Sequence, residues 1–260
     1  MNAPGSDPYA TSGALGRPDG QSSSDSASLG DPPPASLHLV PLKRKVEKNA
    51  WKQVLRCLES ERREALCLPV PIERWVEGPL NLRLEIADLS HLDHDGHKVL
   101  GATVVSTRTI RISDRVAEQE NRFRFTVAHE LGHISLHAHL SGKFRDSADG
   151  EFLADRYERE ADRFAAAFLV PANAFRQEFP RYAASCGIEA REMLDRVSAE
   201  DPAATKVLLD DVLPRLSKRF GVASTTALGR LRDLQLDGDR PMVMHRILRK
   251  LHARLDSGRS

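Results

Sequence analysis

The chain is poor in cysteine: Cys57, Cys67 and Cys186 are odd in number and lack C-x-x-C spacing. That argues against a disulfide framework and against a cysteine-built zinc site, and it fits a reducing cytoplasm. Long hydrophobic runs are missing too, since nothing approaches the roughly 18 to 20 apolar residues that cross a bilayer. The N-terminus lacks the pattern of a signal peptide, its first basic residue being Arg17 with no apolar core after the start. A cytoplasmic location is therefore expected. Charge bias is absent as well, because 38 Lys plus Arg against 37 Asp plus Glu leaves a formal net charge of +1. The chain as a whole has no electrostatic footprint for nucleic acid or membrane, so any basic surface must be local. What it does have is 40% hydrophobic content over 260 residues, enough for a real core.

Aliphatic residues are scarce over residues 1–36, which are rich in Ser, Gly, Pro and Asp. Such a segment cannot bury enough surface to offset ordering entropy, and a disordered tail is expected. Val46, Ala50, Trp51, Val54 and Leu58 then recur at helical spacing, with Trp51 read as a core anchor. Pro71 can start a second, short helix. Leu82, Leu84 and Ile86 alternate as in a strand, and the β-branched run from Val99 to Ile112 reads as one or two more. His91, His94 and His97 surround the turn signal Asp95-Gly96, and solvated histidines are the expected reading there rather than a metal site.

The chemistry lies in Phe125-Thr126-Val127-Ala128-His129-Glu130-Leu131-Gly132-His133, an H-E-x-x-H sequence. On a helix, residues four apart share a face, so His129 and His133 can aim both imidazoles at one Zn²⁺ with Glu130 beside them. Phe123, Val127, Leu131, Ile134 and Ala138 form an apolar stripe next to that histidine row. An ordinary amphipathic helix with surface histidines would share this much of the pattern. Gly132 favours the metal reading, because a mid-helix glycine costs about 1 kcal/mol relative to alanine and suits a place where something packs against the backbone.

A catalytic zinc takes three protein ligands and keeps one position open, so a third must be found. His139 has the right distance from His133 for one known spacing, but Leu136 stands where that pattern needs a glycine. His137 lies about 12 Å along the axis from His129, too far to share an ion that the other two bridge. The third candidate sits in a second helix whose buried stripe is Leu153, Tyr157, Ala161, Phe164 and Phe168 and which ends at Pro171. Glu160 lies roughly 60° from the centre of this stripe, whereas Glu158 and Asp162 point about 100° or more away. If the packed neighbour is the H-E-x-x-H helix, Glu160 completes the site; otherwise it is a solvated glutamate at the edge of a core helix.

The segment from Arg124 to His133, taken with Glu160-Ala161-Asp162-Arg163-Phe164-Ala165-Ala166-Ala167-Phe168-Leu169-Val170-Pro171, resembles the paired signature of the ImmA/IrrE family of zinc metallopeptidases. The likeness extends loosely from Val46 to Leu236. It implies His129, His133 and Glu160 as metal ligands and Glu130 as the catalytic glutamate. The metal would be Zn²⁺, with Mn²⁺ as a substitute. It also implies an intracellular endopeptidase that cleaves a helix-turn-helix repressor and so releases stress-response or mobile-element genes. Asp162 stands where Asn is common in the family, outside the implied ligand set. An oxyanion-stabilising group is expected, with His137 and Tyr157 as open alternatives.

After Pro180 the pattern is helical, over Ile188 to Val197 and Thr205 to Phe220. Leu216 to Leu231 reads as a helix, a tight turn at Gly221 and a second helix, like a helix-turn-helix. A DNA reader would present Arg, Asn or Gln on the leading turn, where Thr225, Thr226 and Ala227 stand instead. Packing beside the peptidase cleft is the favoured role, and a DNA-binding regulator with a structural or sensory metal site is the alternative function. Val243, Ile247, Leu248, Leu251 and Leu255, with Arg246, Arg249, Lys250 and Arg254, make a basic amphipathic helix that would dock on its own domain, a partner or nucleic acid. The expected organisation is α+β. A tail over 1–36 precedes a mainly helical zincin-like domain with a small sheet over 37–180. A helical helix-turn-helix-like subdomain follows over 181–240, and the basic helix closes the chain over 241–260.

Overall fold

Apolar residues at helical spacing form α1 (Pro41–Ser60), which buries Val46, Ala50, Val54 and Leu58. The structure, a computed structural model, describes residues 41–93, 98–138, 150–234, 247–253 and 255. The tail expected over 1–36, His94 and His97 of the turn cluster, His139, and residues 241–246 of the basic helix lie outside the described residues. Trp51 is only partly buried, because it stands about 100° round the helix from Ala50. The core is filled by Trp75 of α2 (Ile72–Glu77), 1% exposed and edge-on to Phe168 with ring centroids 6.1 Å apart.

The expected strands are β1 (Arg83–Ala87), β2 (Gly101–Val104) and β3 (Thr109–Ser113). Their order is β1-β3-β2, with β1 parallel to β3 and β2 antiparallel to it. Central β3 buries Ile110 and Ile112, as a strand flanked on both sides must. Edge strand β2 puts Thr103 opposite Ile110 and, on the other side, packs against α3 (Glu120–His137). His91, in a short turn after β1, is exposed.

α3 crosses α4 (Gly150–Leu169) at Gly132. A Cβ there would sit 3.1 Å from the Ala161 Cα and 3.2 Å from the Phe164 side chain, so the glycine is what lets the two backbones approach. Pro171 ends α4, and α5 (Ala172–Ser185), α6 (Ala190–Ser198) and α7 (Pro202–Val207) follow. The single helix expected from Thr205 to Phe220 is interrupted by a π-helical turn, Leu208–Val212, before α8 (Leu213–Phe220). Pro214 has no N–H to donate, and the wider turn absorbs the break in the ladder. Gly221, at φ 62, turns the chain into α9 (Ser224–Leu234).

Two buried arginines tie these elements together. Arg124 of α3, 4% exposed, donates to Glu73 on α2, to the Val70 carbonyl and to the Gly221 carbonyl. Arg230 of α9, 1% exposed, donates to Glu47 on α1 and to the Val170 carbonyl. One continuous apolar cluster runs from Val46 to Leu251, so the helix-turn-helix-like segment shares the core of the preceding domain. Helical residues 247–253 bury Ile247, Leu248 and Leu251 in it and leave Arg249 and Lys250 exposed. The fold is α+β, a mainly helical zincin-like domain with a three-stranded sheet. No described helix is long and apolar enough to cross a membrane.

Candidate metal centre

Four-residue spacing on α3 and α4 builds the site from two facing rows. On α3 the row is His129, His133 and His137; on α4 it is Glu158 and Asp162, which are also four apart. The Nε2 atoms of His129 and His133 lie 3.0 Å from each other. Glu158 meets both, with one oxygen 3.1 Å from His129 Nε2 and the other 3.3 Å from His133 Nε2. Donor atoms of these three side chains all fall within 4.8 Å of one another, and they are the one such group among the described residues. Tetrahedral zinc with bonds of about 2.0 to 2.1 Å separates its ligand atoms by about 3.3 Å. Two imidazole nitrogens and a carboxylate oxygen at these spacings fit that ion in donor type and distance.

Glu160, expected as the third ligand, is elsewhere. Its carboxylate accepts from Arg156 Nε at 2.9 Å and from His137 Nε2 at 3.2 Å, and its side chain is 9% exposed against 59% for Glu158. This placement has a physical basis. Aiming at the apolar stripe takes a carboxylate beneath the α3–α4 seam, whereas the two histidines meet at the outer edge of that seam. The signal for Glu158 was present in its i, i+4 pairing with Asp162, which mirrors His129 and His133.

Asp162 also has a place that sequence reasoning left out. A carboxylate accepts only, so His129 Nδ1 must donate to it, at 2.9 Å, which leaves Nε2 turned to the centre. Burial alone would lower the His129 pKa, but the hydrogen bonds with Asp162 and Glu158 raise it to about 10. Hydrogen bonds from His129 and His133 hold the Glu158 carboxyl well below the usual range. Burial keeps His137 below the ordinary histidine value. Its two nitrogens are engaged by His133 and Glu160, and the Tyr157 ring stands edge-on to it at 4.6 Å. His137 therefore has no free donor for an oxyanion.

Glu130 lies 6% exposed on the inner side of the row and accepts a 2.7 Å hydrogen bond from Thr103 Oγ1 of β2. Burial raises its pKa above the usual carboxylate value despite that bond. Gly101, on the same strand, leaves the room: a Cβ there would meet Glu130 Oε1 at 2.6 Å. Neither β2 residue was a candidate from sequence, because nothing local ties this strand to α3.

Beyond Asp162 the α3–α4 seam widens into a cavity of about 1000 Å³, lined by Arg122, Phe125, Arg163, Ala166 and, on α9, Thr225, Thr226, Gly229 and Arg232. Thr225 and Thr226, on the leading turn of α9, thus face this cavity, and Ala227 is buried.

Residues 80–232 match the family model Peptidase_M78, the IrrE N-terminal-like domain. That span holds the sheet, both site helices and most of α9. No curated protein matches the chain. Among solved structures, a Mycobacterium tuberculosis transcriptional regulator is similar at 16% identity and a TM-score of 0.42, over 75% of this chain and 47% of that one. This chain thus spans less than half the length of that structure.

Proposed function

The chain belongs to the IrrE N-terminal-like family, Peptidase_M78, and on that premise we propose that it is a metal-dependent endopeptidase with His129, His133 and Glu158 as ligands and Glu130 as general base. The observation that carries this is the convergence of three ligand atoms of the right kind within 4.8 Å beside a buried carboxylate. Zn²⁺, or Mn²⁺ in its stead, would supply Lewis-acid polarisation of the scissile carbonyl and activation of water.

Each remaining step belongs to a side chain. His129 and His133 present lone pairs because their distal nitrogens are held. Exposed Glu158 closes the ligand set at the rim, where a substrate arrives. Glu130, with its pKa raised by burial and its carboxylate steadied by Thr103, takes a proton from the attacking water and passes it to the leaving amine. The cavity past Asp162 receives the polypeptide on one side of the scissile bond.

The substrate we infer is a helix-turn-helix repressor in the cytoplasm, whose cleavage relieves repression of stress-response or mobile-element genes. A DNA-reading regulator would present Arg, Asn or Gln on the leading turn of α9, whereas Thr225 and Thr226 stand there and line the cavity beside the site. The test is incubation of the purified chain with Zn²⁺ or Mn²⁺ and the repressor encoded beside its gene. Wild type is expected to give a discrete cut, and Glu130→Gln to retain zinc without cutting. A Glu130→Gln protein that cuts at the wild-type rate would remove Glu130 from the mechanism.

A further inference from the structure

Behind the ligands, a second row of side chains runs inward from His133. Its Nδ1 is 3.2 Å from His137 Nδ1, His137 Nε2 is 3.2 Å from Glu160 Oε2, and Glu160 Oε1 is 2.9 Å from Arg156 Nε. His137 and Glu160 are each 9% exposed, and the Tyr157 ring covers the His137 imidazole. Water therefore has little access to the middle of the chain.

With His137 neutral, the donor and acceptor inventory places every proton in it. A guanidinium only donates, and an ionised carboxylate only accepts, so Arg156 donates to Glu160 and His137 must donate to it from Nε2. Neutral His137 then has a lone pair at Nδ1. The facing nitrogen, His133 Nδ1, has to be the donor. With an ion in the centre in place of the proton that otherwise meets Glu158, that leaves the lone pair of His133 on Nε2, the atom that faces His129 and Glu158.

We propose that Arg156, Glu160 and His137 form a positioning relay that fixes the tautomer and ring orientation of His133 for metal binding, as Asp162 does for His129. The relay rests on the reading of His129, His133 and Glu158 as the ligands. It assigns Glu160 a role one step removed from the ion. Outer partners of ligating histidines, when removed, typically weaken metal affinity about 10- to 100-fold.

Glu160→Gln is the informative variant, because an amide can donate. With its NH₂ towards His137 Nε2, the imidazole must carry its proton on Nδ1 and can no longer accept from His133. The experiment measures zinc dissociation constants of the full chain by chelator competition and the His137 tautomer by imidazole ¹⁵N shifts in the zinc-loaded protein. Circular dichroism and the thermal midpoint check the fold. The expected result is about 10- to 100-fold weaker zinc binding, with the His137 proton moved from Nε2 to Nδ1, and complete loss of binding in Glu158→Gln. His137→Phe, which keeps a ring beside Tyr157, should weaken binding to the same extent. Adding Glu160→Gln to it should bring no further loss, since the chain is already cut.

Wild-type affinity in Glu160→Gln would overturn the relay, as would an additive loss in the double variant. Loss of zinc in Glu160→Gln with retention in Glu158→Gln would overturn it in favour of Glu160 as ligand. A wild-type chain that binds no zinc would instead defeat the metal-centre reading itself. Should Glu160→Gln not fold, His137→Phe carries the same comparison.

Discussion

Replacing Gly101 with alanine should disable Glu130 from the opposite side of the site. The added Cβ would lie 2.6 Å from Glu130 Oε1, 2.9 Å from its Cγ and 2.8 Å from Thr126 Cγ2, where ordinary contact begins at 3.4 Å. The shortfall at the carboxylate is about 0.8 Å. Thr126 cannot easily give way, because its β-branched side chain is stiff and its hydroxyl is held by the Arg122 carbonyl at 2.9 Å. Glu130 must then retreat and loosen its bond to Thr103. A misplacement approaching 1 Å costs about 10²-fold in rate, and overpacking of this kind costs about 1–3 kcal/mol in stability. The expected outcome is a 30- to 100-fold fall in kcat/KM on a cleavable repressor, at about the scale of that misplacement cost, with zinc affinity unchanged because no ligand is touched. Initial cleavage rates, chelator competition and a urea melt would check all three. Wild-type cleavage in a folded Gly101→Ala protein would refute the claim that β2 sets the position of the base.

Other consequences follow from buried groups away from the centre. Arg230→Ala strands the Glu47 carboxylate and the Val170 carbonyl, and breaking one side of a buried pair costs about 3–5 kcal/mol; urea unfolding should show a large drop in midpoint, and a change under 1 kcal/mol would contradict this reading. Cys57 is fully buried, and burial pushes its thiol up to about 12, so at pH 8 only about one molecule in 10⁴ carries the thiolate. A thiol reagent should label exposed Cys67 first and Cys57 only in denaturant. Equal labelling rates in the native state would refute it.

Much of the fold was legible because it is written in local periodicity. The i, i+4 spacing of His129 and His133 put both imidazoles on one face wherever α3 packs, and Gly132 announced a close crossing that Ala161 and Phe164 supply. Pro171 ended α4, and alternation marked the strands. The misreadings arose where neighbours distant in sequence set the outcome. Trp51 and Trp75 look equally suited to a core, but only the docking of α2 against α3 and β1, which brings its tryptophan edge-on to Phe168 of α4, puts Trp75 at its centre. Thr103 and Gly101 became part of the site only because β2 is the edge strand that meets α3.

The sequence by itself determined the pair of histidines and the glutamate between them, because a helix imposes its own geometry over four residues. It offered a carboxylate of the next helix as a third partner, conditional on that helix packing against them. Which carboxylate does so was decided by tertiary structure, through the rotation and crossing of α4 against α3. Glu160, aimed at the core, goes under the seam to His137 and Arg156, while Glu158, aimed away from it, reaches the exposed edge where both histidines turn. The most core-directed carboxylate thus lies behind the histidine pair, and the outward one lies beside it at the rim.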